Sequence, residues 1–178
     1  MDEIAESKIN TMGSVMTIEE VIDHYGEDVW KLVFSYVRNE QVADDLAQEI
    51  FIKIYKKIDT FAGNASLRTW IWRVAINHCK DYLKSWYKRT VFPQEERNFN
   101  WMSSGCSVEG EVIRKDEDRE LEKVVLELPL KYREVIYLFY YEECSMKEIA
   151  LFLDLRENTV KTRLRRAKQL IKERLVIG

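Results

Sequence analysis

Along most of the chain, apolar residues recur every three or four positions, the spacing at which an α-helix gathers side chains onto one face. Val29, Leu32, Val33, Tyr36 and Val37 make the first such stripe. Its helix is expected to begin near Thr17, because Thr17-Ile18-Glu19-Glu20 has the form of a capping box. Asn39-Glu40 breaks the pattern. From Gln41 to Ile58 it resumes, with Ala43, Leu46, Ala47, Ile50, Ile54 and Ile58 in one arc that should face a core. The polar stretch Asp59 to Ser66 then reads as a loop, turning at Gly63-Asn64 and carrying an isolated Phe61. Leu67 to Tyr87 is a long aromatic-rich helix whose expected buried side is Leu67, Ile71, Val74, Ala75, His78 and Tyr82.

From Thr90 to Asp118 periodicity fails. Pro93, the polar run from Gln94 to Asn100, Ser103-Ser104-Gly105 and Gly110 read as a linker, although Phe92, Phe99, Trp101 and Met102 are apolar for one. Arg119 to Leu128 is helical, Pro129 punctuates, and Lys131 to Glu142 is a further helix bearing Val135, Ile136, Leu138 and Phe139. Ser145 caps a short helix, with Glu148 completing a second capping box, and Ile149, Leu151, Phe152 and Leu153 are expected to be buried by it. A tight turn at Asp154-Leu155-Arg156 leads into a helix with two opposed faces. Val160, Leu164, Ala167 and Ile171 make its apolar stripe, while Asn158, Thr162, Arg165 and Gln169 point the other way, flanked by Lys161, Arg166, Lys168 and Lys172. Two helices, a short turn and donors on one face of the second helix are the pattern of a helix-turn-helix reading a major groove. The competing reading is a solvated basic face on a scaffold helix.

The pattern therefore predicts an all-α protein of two small helical domains joined by a flexible linker: a disordered leader over 1–16, a first domain over 17–89, the linker over 90–118 and a second domain over 119–178. Composition agrees. The chain has 178 residues, 46% of them hydrophobic, with only six Gly and two Pro. Three Cys, an odd number and far apart, fit a reducing cytoplasm better than a disulfide scaffold. His24 and His78 have no zinc-like spacing with them, so no metal or cofactor is expected. No run reaches the roughly 20 apolar residues of a membrane span, so direct membrane insertion is not expected. The net charge of −3 does not by itself point to nucleic acid; its distribution does. Residues 156–174 hold eight Lys and Arg against two acids, a local charge of +6.

Two further faces carry candidate chemistry. The Gln41–Ile58 helix presents Asp45, Gln48, Glu49 and Ile52 away from its core arc, and from Asn39 to Ile52 there are four acids and no Lys or Arg. An isoleucine at the centre of an acidic, amide-bearing face is an odd choice where only water is met. A partner surface and a solvated face with one stray apolar residue both remain open at this point. On the aromatic-rich helix, Arg73, Asn77, Lys80 and Lys84 form one polar stripe, with Trp70 and Trp72 at its start beside Phe61. Cations for a backbone and rings for unstacked bases are what single-stranded nucleic acid requires. Both tryptophans can instead be core, which is the preferred reading for Trp70, and His78 reads as a satisfied core histidine.

Four pieces in order carry a family resemblance: Ala43 to Phe51 (ADDLAQEIF); Phe61 followed by Leu67 to Asn77 (LRTWIWRVAIN); Leu128-Pro129 with Arg133-Glu134-Val135; and Ser145 to Ala150 (SMKEIA) through Thr159 to Leu164 (TVKTRL). From Met16 to Leu175 the chain resembles the extracytoplasmic-function sigma factors of bacterial RNA polymerase. The resemblance implies that Asp44, Asp45, Gln48, Glu49 and Ile52 dock on the coiled coil of the polymerase β′ subunit. It implies that the loop bearing Phe61, Asn64 and Ser66 holds a base flipped from the non-template strand, with Trp72, Arg73, Asn77, Lys80 and Lys84 on the −10 element. Extruding a base costs a few kcal/mol, which such contacts must offset. Asn158, Lys161, Thr162, Arg163, Arg165, Arg166 and Gln169 would then meet the −35 element, and the second domain the β flap. Promoter DNA, core polymerase and an anti-sigma factor, often membrane-bound, are the implied partners; the chain itself is expected in the cytoplasm.

No nucleophile–base pair stands out, so the expected work is binding rather than catalysis. Two DNA modules on one tether raise each other's effective concentration at a correctly spaced site. The main rival is a two-domain helix-turn-helix regulator that never joins the polymerase, which leaves the Asp45–Ile52 face unexplained. A third reading, a nucleic-acid-modifying enzyme using His24, His78 and a cysteine, lacks any supporting spacing.

Overall fold

The computed structural model describes residues 9–11, 14–58, 61, 63, 65–90 and 116–177. The chain divides into two compact units, Met1–Thr90 and Val91–Gly178. The linker expected over 90–118 falls largely outside the described residues, as do Phe92, Phe99, Trp101 and Met102.

The first unit opens with a small hairpin that the sequence reading did not anticipate in its leader. Strand β1 (Ile9–Thr11) pairs antiparallel with β2 (Ser14–Met16), Ile9 opposite Met16. Helix α1 (Ile18–Val37) follows, and its capping box is formed in full: the Thr17 hydroxyl accepts from the Glu20 N–H, while the Glu20 carboxylate accepts from the Thr17 N–H at 2.8 Å. Arg38 then takes a left-handed conformation (φ 57°) and its N–H closes the helix on the Phe34 carbonyl. Asn39 at once caps α2 (Glu40–Lys57) by accepting from the Val42 N–H at 3.0 Å. So short a link folds the chain back, and α1 packs on α2. Ser66 starts α3 (Leu67–Thr90), its hydroxyl accepting from the Thr69 N–H.

Helix α3 lies against both α1 and α2, and this moves its buried face. Leu67, Ile71, Trp72, Ala75, Ile76, Cys79 and Leu83 are buried, whereas Val74, His78 and Tyr82 of the expected side are only half-buried. At 100° per residue the arc has turned by roughly 70° from the one read off the sequence, because two neighbours rather than one set it. The expected core of α2, by contrast, is buried throughout.

In the second unit, α4 (Asp116–Leu126) begins three residues before the expected Arg119, and α5 (Leu130–Ile136) begins after Pro129. Val125, Leu128, Ile136, Leu164 and Ala167 form one cluster of the core here. Buried Arg133 donates to the carbonyls of Leu126 (2.6 Å) and Leu128 (3.2 Å), satisfying acceptors that the end of α4 leaves open. The α-helix expected to Glu142 stops at Ile136 and widens into a π-helical turn, Tyr137–Tyr141, closed by the Glu142 N–H on the Tyr137 carbonyl. Helix α6 (Met146–Leu153) and α7 (Glu157–Ile177) form the helix-turn-helix. The Ser145–Glu148 capping box is present, and Asp154 turns the chain in a left-handed conformation (φ 54°). Leu151, expected in the core, is 58% exposed: with Ile149, Ala150, Phe152 and Leu153 facing inward, the position between them has only the outer side left.

Candidate docking and nucleic-acid interfaces

On α2, Asp45, Gln48 and Glu49 are exposed, and Ile52 is 54% exposed at the middle of the face they form. The structure adds neighbours from α1. Ile22, exposed, and Trp30 flank a cleft of about 640 Å³ that Ile52, Phe51 and Tyr55 line from α2. Asp44 stands at its edge, its carboxylate accepting from Trp30 Nε1 at 2.6 Å, with the Trp30 ring stacked on Phe34. Asp44 therefore also ties α1 to α2. Glu49 lies 2.8 Å from Nε2 of half-buried His78, so the histidine is satisfied, at the margin of the core rather than within it. No pattern within α2 could reveal Ile22, Trp30 and Tyr55 as one surface; only the packing of α1 brings them together.

The −10 candidates separate. Phe61 is half-buried, its ring 5.7 Å from that of Trp70 and tilted by 56°. Ser66 is exposed and shares a hydrogen bond with the Thr69 hydroxyl; Asn64 lies outside the described residues. Arg73, Asn77 and Lys84 are exposed and Lys80 is half-buried, all lining one groove of about 560 Å³. Trp70 lines it too, and Lys53 and Lys57 face the stripe from α2. Trp72 must be corrected: it is 0% exposed, packed edge-on to Tyr25 at 5.9 Å and covered by the Arg68 guanidinium at 4.9 Å, and is not available to DNA. The rotation of α3 exchanges the expected places of the two tryptophans. Trp70 goes to the lip of the groove and Trp72 to the core.

On α7, Asn158, Lys161, Thr162, Arg165, Arg166 and Gln169 are exposed. Thr162 donates its hydroxyl to the Asn158 carbonyl at 2.9 Å, Gln169 donates to Glu173, and Arg166 lies 3.7 Å from the same carboxylate. Arg163 is different. It donates to the buried carboxylate of Glu134 at 3.0 Å, which pins α7 to α5, so its first role is to neutralise an interior charge. Behind α7 lies an apolar cleft of about 460 Å³ that the sequence reading missed, lined by Leu121, Tyr140, Tyr141, Leu175 and Val176 with Lys168 and Lys172 at its rim. Its lining comes from α4, the π-helical turn and α7 together, so no periodic pattern within one helix could locate it.

Among the described residues no cluster of three His, Cys, Asp or Glu could hold a metal, and no helix is long and apolar enough to cross a membrane. The described residues thus combine an acidic face with an apolar centre, a basic groove edged by aromatics and a helix-turn-helix, an all-α arrangement of two helical modules. The family models for Sigma-70 region 2 and Sigma-70, region 4 match residues 21–89 and 118–171. The chain is 31% identical over 157 residues to the RNA polymerase sigma factor SigV of Bacillus subtilis, covering 87% of this chain and 88% of that protein. It is 32% identical over 160 residues to the ECF RNA polymerase sigma-E factor of Escherichia coli K12, covering 85% and 82%. In fold it resembles the sigma factor RpoE solved in complex with the anti-sigma factor NepR from Bartonella quintana, at 19% identity and a TM-score of 0.66, over 90% of this chain and 97% of that one. The chain belongs to the extracytoplasmic-function sigma factors of RNA polymerase.

Proposed function

We propose that the chain, as a sigma factor that directs transcription initiation, divides its work between two modules. The first docks on the β′ coiled coil of core polymerase through Asp45, Gln48, Glu49 and Ile52. Beside that face, Phe61 and Ser66 receive a base from the non-template strand, and Arg73, Asn77, Lys80 and Lys84 hold the −10 DNA. The second reads the −35 element with Asn158, Lys161, Thr162, Arg165, Arg166 and Gln169. Its apolar cleft at Tyr140 and Tyr141 is the seat for the β flap. Its contribution is binding energy; bond formation belongs to the polymerase. An anti-sigma factor that covers these faces in the cytoplasm is the natural inhibitor, a reading supported by the complex in which the related fold was solved.

The observation that carries this reading is the exposed Ile52 centred on an acidic face outside the packed core. A regulator independent of the polymerase gives that face no purpose. Pull-down with core polymerase and run-off transcription test it. Asp45→Arg with Gln48→Ala should weaken association at least tenfold, about 1.4 kcal/mol, and abolish the transcript. Association indifferent to both changes would reject the docking face.

A further inference from the structure

We propose that Lys53 and Lys57 of α2 are strand-holding residues, which grip the backbone of unpaired DNA in the groove between α2 and α3. The identity of that DNA, the opened promoter, rests on the sigma-factor reading; the grip itself rests on the groove. The two lysines are one helical turn apart and line the groove from the wall opposite Arg73, Lys80 and Lys84. Five cations thus meet one acid, Asp81, at a local charge of +4 in a chain whose net charge is −3. Opposed rows of cations suit a phosphate chain running between them. Trp70 lines the same groove, its ring beside that of Phe61, where a base that has lost its stacking partner can find another.

Helix α2 then has two jobs on adjacent faces. Ile52 points to the docking side, and one residue further, about 100° round, Lys53 points to the strand. Docking and strand capture share one rigid element. A merely structural explanation exists for Lys57, since a cation in the last turn complements the helix dipole. Lys56 sits in that same last turn, exposed and away from the groove, and separates the two explanations.

The experiment measures binding of a fluorescent single-stranded oligonucleotide and its duplex to the full chain, alone and on core polymerase, across a salt series. Lys53→Gln with Lys57→Gln should weaken single-strand binding three- to tenfold and lower the slope of log K against log salt by about 1.4, near 0.7 per lost phosphate contact. Duplex binding through the helix-turn-helix and the thermal midpoint should stay as in the wild type. Lys56→Gln should leave the single-strand slope almost unchanged. An unchanged slope in the double variant overturns the proposal, as does an equal loss in Lys56→Gln or a wild-type chain that holds no single strand. Run-off transcription by the wild type in parallel keeps the two readings apart: a transcript with an unchanged slope removes the grip alone. A reduced slope without a transcript leaves the grip and removes the sigma-factor mechanism.

Discussion

The two modules make their surfaces in different ways. In the rear module the DNA-facing candidates lie along one helix, α7, with six of seven exposed on the face that periodicity assigned. In the front module both surfaces are shared: the docking cleft takes residues from α1 and α2, and the basic groove from α2 and α3. A face on a single helix survives any uniform rotation of its neighbours. A face shared between helices exists only for one packing angle. Mutations that loosen packing should therefore cost the front module its function before its fold, while the rear module should lose fold and DNA binding more independently.

The sharpest way to break that comparison is the tryptophan pair on α3. Trp72→Ala removes a fully buried indole and should destabilise the front module by about 3–5 kcal/mol, read by chemical denaturation. Trp70→Ala should cost little stability and instead weaken single-strand binding by about 1–3 kcal/mol. Equal effects from both would deny that the two rings have separate roles. The matching pair in the rear module is Arg163 and Arg165. Arg163→Ala takes the α7 cation away from the buried Glu134 carboxylate and should lose roughly 1–3 kcal/mol of stability, more than Glu134→Ala, because a partly exposed arginine can turn to water. Arg165→Ala should leave stability alone and lower the salt slope of duplex binding by about 0.9. Should Arg163→Ala change the slope and not the denaturation midpoint, the assignment of Arg163 to the interior is wrong.

The capping boxes give a smaller test. Thr17→Ala and Ser145→Ala each remove a satisfied hydroxyl and should cost about 1 kcal/mol in their own module, seen as a selective fall in hydrogen-exchange protection of α1 or α6. Smallest near neutral pH is the effect of Cys79, whose thiol is pushed up to about 12 by burial. The neutral thiol's advantage is fully present below the unfolded value near 9 and is lost as pH rises toward 12. Alkylation at pH 8 should thus label Cys79 only when the front module opens, as mass spectrometry would show.

Periodicity and capping chemistry sufficed for much of the architecture. Helix starts at Thr17 and Ser145, the core of α2, the outward Ile52 and the opposed faces of α7 are local properties: side-chain chemistry and a 3.6-residue repeat specify them without reference to any other segment. Motif order carried the family. Three features were beyond such reading. The rotation of α3 exchanged Trp70 and Trp72, the packing of α4 and α7 around the π-helical turn made the Tyr140–Tyr141 cleft, and the packing of α2 on α3 set Lys53 and Lys57 across from Arg73 and Lys84. Each depends on which neighbours press on a helix and from what direction. A chain written one residue at a time names the side chains on a helix, and only its packed partners decide which of them face the solvent.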